Sequence, residues 1–323
     1  MDLSMQLISL LFRLPIFIFD LATAIALYYA GKTMASPIEG RLASLIWFAN
    51  PLSLLSIELL GVPDVVPTFL VLVAVILLIS RRPLLCGVCL GVSVWIKFYP
   101  ILLLPPLLLY AHTHGVSWRR KSAIMVPGLV GLVGYLSWIL LPFGLTYLRN
   151  YTPVTQPLEV VGGFVVNGMA FALIFFYCLV ALFAKRINLI ALLLATLLVF
   201  YFSSSLTIYH LQYLTWSFPL MALDIALLKR SRAVLFVIFN ALAFALSFFV
   251  SSAFLTPSGY SLVMIPLGGS NLPWYSQAVT TLLQSFSVTL LLPFVSSSLV
   301  ACILVYVVDL ARSWFDIGTA GHQ

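Results

Sequence analysis

Apolar residues run along this chain in long blocks separated by short polar or basic connections. An upright membrane-spanning helix needs about 17–25 apolar residues, and shorter ones are accommodated inside a bundle. On that pattern the sequence predicts eleven spans, at 14–31, 42–58, 65–80, 83–96, 100–112, 124–143, 164–184, 187–204, 208–228, 233–254 and 287–311. The fourth and fifth are short, and Pro105-Pro106 makes the fifth irregular. Irregular backbone at membrane depth persists only where protein or a wet cavity satisfies it. Residues 1–13 are expected to form an amphipathic segment lying along the interface. Asp2 stands where a cleaved signal would be positively charged, and Arg13 interrupts the apolar run. The expected fold class is all-α, a polytopic helical bundle forming one membrane domain over 1–323.

Composition agrees. The chain is 63% hydrophobic and 8% charged, whereas a soluble domain is about a quarter charged. The net charge of +7 reads as bilayer orientation rather than as a nucleic-acid surface, so no nucleic-acid partner is expected. Thirteen of the 16 lysines and arginines fall in alternate connections: Lys32 and Arg41; Arg81 and Arg82; Arg119, Arg120 and Lys121; Lys185 and Arg186; Lys229, Arg230 and Arg232; and Arg312. By the positive-inside rule that side is cytoplasmic, and the C-terminus with it. The longest connections, 144–163 and 255–286, then lie on the extracytoplasmic face, where a site is expected. So does the sequon Asn150-Tyr151-Thr152. Eleven spans also put the N-terminus outside with no signal to carry it there. Either the count is off by one or the chain begins one helix late.

Few residues can carry chemistry. Glu58 and Asp64 flank ELLGVPD after Asn50-Pro51, and Lys97 falls on the same face of the membrane. Carboxylates and a cation at one end of a bundle can bind a phosphate and activate a hydroxyl; equally, interfacial charges anchor helix ends. Asp20 lies within the first span, where a carboxylate is either functional or hydrogen-bonded to a neighbour such as Thr or Tyr. Asp224 and Asp309 read as boundary residues near cytoplasmic helix ends. Ser203–Trp216 is a polar entry to the ninth span, containing Tyr209, His210, Gln212, Tyr213 and Trp216; it is either an aromatic belt or part of a site. Cys86 and Cys89 have CxxC spacing but sit beside Gly87 and Gly91, and Gly128, Gly131 and Gly134 follow in GLVGLVG; both stretches read as close helix packing. No metal-ligand set can be assembled. The chain has no GxxxxGK[ST], GxSxG or HExxH.

Three segments, FDLATAIALYY, NPLSLLSIELLGVPD and GVSVWIKFYPILLLPP, together resemble the early core of the multi-spanning GT-C glycosyltransferases. Within that superfamily the likeness is greatest to the catalytic subunit of GPI mannosyltransferase I and to prokaryotic polyprenyl-phosphate-mannose-dependent enzymes. Lys97-Phe98-Tyr99-Pro100 resembles the family's basic residue before Tyr-Pro. Gln212-Tyr213-Leu214-Thr215-Trp216 is similar to its QY-x-x-W, with Pro219 following. The resemblance covers residues 10–220. It implies transfer of a sugar, mannose in the nearest relatives, from a polyprenyl-phosphate donor to an acceptor on the extracytoplasmic face. It also implies Lys97 at the donor phosphate and Glu58 or Asp64 on the acceptor side. Asn50, Tyr99, His210, Gln212, Tyr213 and Trp216 would be substrate contacts. The lipid-linked donor is the substrate and no separate cofactor is implied. The expected partners are membrane lipids, the donor, and a small accessory membrane subunit. The membrane would be the plasma membrane in a prokaryote and the endoplasmic reticulum in a eukaryote. One departure stands out: the family carries Asp-x-Asp after its first helix, and this chain has none. The implied alternatives are a chain lacking its catalytic opening and a GT-C relative that no longer transfers sugar. FDLATAIALYYA and FYPILLLPPLLLY also resemble the non-catalytic U-type subunit of GPI transamidase. A lipid or solute transporter is a third class, for which no inverted repeat is evident.

Overall fold

The structure is a computed structural model that describes residues 3–54, 63–141, 177, 188–205, 215–227, 232–253, 298–299 and 301–310. Every element among them is helical. In chain order they are α1 (Leu3–Met34), α2 (Pro37–Phe48), the single turn α3 (Pro51–Ser53), α4 (Val65–Ile79) and α5 (Pro83–Ile96). A 3-10 turn (Tyr99–Leu103) leads into α6 (Leu104–Thr113), followed by α7 (Trp118–Leu140), α8 (Leu189–Ser205), α9 (Phe218–Leu227) and α10 (Arg232–Ala253). A final helix, α11, spans Ala301–Leu310. Contacts divide the chain into two units, Met1–Val65 with His210–Tyr306, and Val66–Tyr209 with Val307–Gln323.

In the first unit, α1 and α2 form an antiparallel hairpin. Ser36 caps α2, its Oγ accepting from Ile38 N at 3.2 Å. Pro37 stands at N1, and the Ser36 hydroxyl donates to the Glu39 carboxylate, which holds the capping side chain over the helix start. A Cβ on Gly31 would lie 2.6 Å from Gly40 Cα, so the two backbones touch at that end. Further along the seam Ser44 Oγ donates to Ala24 O at 2.6 Å. α1 runs without a break from Leu3, so residues 1–13 and the first expected span share one helix. The second expected span, 42–58, begins five residues early and stops at Ala49: Asn50-Pro51 interrupts it because a residue before proline is pushed out of the α region. Arg41, read as a connection residue, accordingly lies inside α2.

In the second unit α5 and α7 run parallel. Their seam is glycine on both sides: a Cβ on Gly87 would meet Ile124 Cα at 2.9 Å, one on Gly91 would meet Pro127 C at 2.8 Å, and one on Gly131 would meet Gly91 Cα at 2.8 Å. The fifth expected span does contain an irregularity, but at the 3-10 turn Tyr99–Leu103. Pro105-Pro106 fall in the first turn of α6, where a missing N–H leaves no helical bond unmade. α8 is buried on all sides from Leu189 to Leu198.

Two helical stretches among the described residues are long and apolar enough to cross a membrane, Arg13–Met34 and Trp118–Trp138. Both turn large apolar side chains outward: Leu14, Phe17, Ile18, Leu21 and Ile25 on α1, and Val126, Val130, Val133 and Leu136 on α7. Such contiguous apolar faces suit lipid rather than water. The spans expected at 164–184 (Tyr177 apart) and over most of 287–311, and the connections 144–163 and 255–286, lie outside the described residues.

Candidate functional site

The first unit gathers most of the buried polar groups. Asp64, in the turn before α4, is 2% exposed. Its Oδ1 accepts a hydrogen bond from Trp216 Nε1 at 3.2 Å. Trp216 is held there by the start of α9, where Met221 N donates to Ser217 O at 2.9 Å. Thus the ends of the two polar segments, ELLGVPD and QYLTW, meet across 152 positions of sequence. Pro219, in α9's first turn, lets that helix begin directly after the tryptophan.

Asp20 is buried in α1 and accepts from Trp47 Nε1 of α2 at 2.9 Å. Its neighbour there is an indole, where the sequence pointed to Thr or Tyr. Asn50 caps the α3 turn, its Oδ1 accepting from Leu52 N at 2.9 Å. That bond turns Nδ2 the other way, and Nδ2 is buried without a partner among the described residues. The Asn50 side of α3 faces a cavity of about 540 Å³ lined by Ile46, Ala49, Asn50, Pro51, Ile225, Ala233, Phe236, Val237, Asn240 and Ala241. Asn240 Nδ2 is used by Phe236 O at 2.8 Å, and its Oδ1 is the second buried, unpartnered atom on this wall. Both asparagines line this apolar cavity, while their unpartnered atoms are themselves buried. Sequence reasoning missed Asn240; a lone asparagine in VIFNALAF was the available signal.

Asp224 is a correction. Read as a boundary residue, it is fully buried in α9, ion-paired to Arg232 of α10 at 2.5 Å, with Tyr306 Oη donating to its second oxygen at 2.9 Å. Arg232 is 1% exposed, so this basic residue counted in a connection is a core group. Four positions of sequence separate the two helices, and an acid and a base eight positions apart are paired in the core.

In the second unit α5 ends at Lys97, whose extended backbone (φ −151°, ψ 141°) breaks the helix while its N–H still reaches Ser93 O. Lys97 is half-buried. Tyr99 is buried in the 3-10 turn and shares a 3.0 Å hydrogen bond with Thr68 Oγ1. Ser93 Oγ donates to Pro67 O at 2.9 Å, fixing the same end of α4 on α5. Tyr177 Oη donates to Leu102 O at 2.5 Å, satisfying a carbonyl of the irregular turn. Glu58, His210, Gln212, Tyr213 and the Asn150 sequon lie outside the described residues. Among those described, no three His, Cys, Asp or Glu side chains are grouped as metal ligands.

The break at Lys97 and the buried Asp64–Trp216 pair lie in the segments whose sequence motifs resemble those of GT-C glycosyltransferases. The family model for glycosyltransferase family 87 matches residues 4–161. GPI mannosyltransferase 1 of Debaryomyces hansenii is 32% identical over 132 residues, a match covering 38% of this chain and 31% of that protein. The chain thus spans about a third of the length of the curated relative it matches. No solved structure matches it. Together the two sequence matches support a membrane glycosyltransferase similar to GPI mannosyltransferase.

Proposed function

We propose that the protein transfers a sugar, mannose, from a polyprenyl-phosphate donor to an acceptor hydroxyl on the extracytoplasmic face of a membrane that it crosses about eleven times. The observation that carries this reading is the Asp64–Trp216 hydrogen bond: it joins the two polar segments that the family resemblance nominates, and family 87 matches the region containing Asp64. In the proposed reaction the acceptor oxygen attacks the anomeric carbon. The carbon–oxygen bond to the lipid phosphate breaks with inversion, and the acceptor proton passes to a carboxylate. Asp64, oriented by the Trp216 N–H, is assigned that proton, and Glu58 is assigned to the acceptor side. Lys97 is assigned the charge that grows on the departing phosphate, and Tyr99 holds the turn carrying it. Asn50 and the apolar cavity beside it suit the lipid portion of a substrate. His210, Gln212 and Tyr213 are assigned to substrate contacts, and Asp20 to holding α1 on α2. No cofactor beyond the lipid-linked donor is part of the proposal, and a small accessory subunit is.

The absence of Asp-x-Asp from the 323 residues favours a second reading, a non-catalytic GT-C-like subunit of a membrane complex similar to the U-type subunit of GPI transamidase. Mannose transfer from labelled polyprenyl-phosphate-mannose separates the two. In membranes carrying the full-length protein, Asp64→Asn is expected to lower turnover by about 10²–10⁴-fold, the usual worth of a positioned base, at unchanged protein level. Transfer by the Asn variant at the wild-type rate removes the catalytic role of Asp64. No transfer by the wild type, with a co-purifying partner that carries the activity, favours the subunit.

A further inference from the structure

The second unit has a basic end that the transfer reaction does not use. Because α5 and α7 pack in parallel along their glycine seam, both helices start at this end. Neither start is neutralised: neither Arg82, the cap of α5, nor Ser117, the cap of α7, offers a side-chain bond, and neither first turn contains an acid. Each helix start carries about half a positive charge. Between them lies a cavity of about 360 Å³, whose lining includes Arg81, Pro83, Tyr110, His114, Gly115 and Arg120. Its two arginines and its histidine come from three separate segments. The chain has no Asp or Glu anywhere from residue 65 to residue 158, so this stretch supplies no carboxylate to balance them.

The local geometry is specific. α4 and α6 end in the same way: Arg82 N reaches back to Leu77 O at 2.8 Å, and Val116 N to Ala111 O at 2.9 Å. Both closures need a left-handed residue. After α6 it is Gly115 (φ 68°); after α4 it is Arg81 (φ 59°). Arginine is strained there where glycine would be relaxed, and what it adds is a guanidinium on the cavity wall. His114 stacks on Tyr110 with ring centroids 4.0 Å apart. Its Nδ1 lies 2.9 Å from Tyr110 O, so Nδ1 carries the proton in that bond. Beside the cavity Trp118 is 70% exposed and Leu84 58% exposed. An outward tryptophan next to arginines is the pattern of a helix at headgroup depth.

We propose that this cavity binds the phosphate of an anionic phospholipid headgroup, held by Arg81 and Arg120 with His114 alongside and the two helix starts behind. The inference rests on the chain lying in a membrane, and it does not depend on sugar transfer. A free phosphate shares the chemistry, so the test separates the two sources. Purified full-length protein in neutral detergent is titrated with phosphatidylglycerol, phosphatidylcholine or inorganic phosphate, with bound lipid counted by native mass spectrometry and Tm recorded in parallel. Wild type is expected to bind phosphatidylglycerol at least about 10-fold tighter than phosphatidylcholine, one lipid per chain saturating first. Arg81→Gly relaxes the left-handed turn, so its Tm is expected to hold or rise while the preference for the anionic lipid falls. Arg120→Gln loses the preference too, and Arg41→Gln, on α2 and not among the residues lining the cavity, keeps it. Equal binding of the two lipids by wild type overturns the proposal. So does a preference that survives in both Arg81→Gly and Arg120→Gln, or saturation by inorganic phosphate with no lipid preference.

Discussion

The buried carboxylates described in the first unit are held in two ways: Asp20 and Asp64 each by a tryptophan indole, of Trp47 and Trp216, and Asp224 by a guanidinium and a phenol. The indole N–H of Trp216 donates to one oxygen of Asp64, whereas Asp224 is committed to an ion pair in the core. For this reason Asp64 is assigned the chemistry and Asp224 the structure. Replacing Arg232 with Met strands a buried charge and is expected to destabilise the protein by about 3–5 kcal/mol, whereas Asp224→Leu with Arg232→Met together recovers most of that loss. Thermal unfolding of the detergent-solubilised protein measures both, and equal losses in the single and the double variant refute the pairing. Trp47→Phe leaves the Asp20 carboxylate one donor short, with an expected cost of about 1–3 kcal/mol; an unchanged Tm refutes that bond's importance. Asp20 and Asp64 were legible as candidates because a carboxylate in or beside an apolar run is conspicuous. Asp224 was not, because five residues after it the basic stretch Lys229–Arg232 begins, a pattern that also marks a helix leaving the membrane.

At the scale of helices, apolar block length located most elements to within a few residues, as with Val65–Ile79 and Pro83–Ile96. Two misplaced helix starts share a cause. Helix starts at Pro37 and Trp118 lie outside the apolar block, because capping residues and basic side chains continue a helix into polar sequence. The glycines in GLVGLVG were read as packing, and the seam separates them. A Cβ on Gly131 would run into the backbone of Gly91, whereas one on Gly128 would meet only Leu90 and Leu104 side-chain atoms at 3.6 Å. Gly131→Ala is therefore expected to lower Tm sharply, and Gly128→Ala to leave it unchanged or raise it slightly, since alanine is the better helix former. Equal effects would mean that α5 and α7 do not touch at Gly91.

Over the whole molecule, an outward apolar face and a shortage of charge limit where the chain can reside. Val133 is 66% exposed on α7. Val133→Arg puts a charge on a lipid-facing surface at a cost of about 2.5–3.5 kcal/mol, and its expected outcome is reduced accumulation in the membrane fraction, measured by fractionation against Val133→Leu. Fold class and membrane residence were legible in composition alone. The resemblance was legible only because three short motifs keep their order, and the model for glycosyltransferase family 87 matches the stretch that holds all three. The cavity beside Asn50 was not legible, since its second amide, Asn240, comes from a helix 190 positions further along the chain.

In the proposed reaction a lipid-phosphate sugar is the donor and Lys97 meets the charge left on its phosphate. The most direct measurement is release of polyprenyl phosphate from labelled polyprenyl-phosphate-mannose by membranes carrying the full-length wild-type protein or Lys97→Ala at matched levels. The account predicts acceptor-dependent release by the wild type and a loss of at least about 10²-fold in the variant, the scale set by removing one transition-state donor. Equal release from both would contradict it.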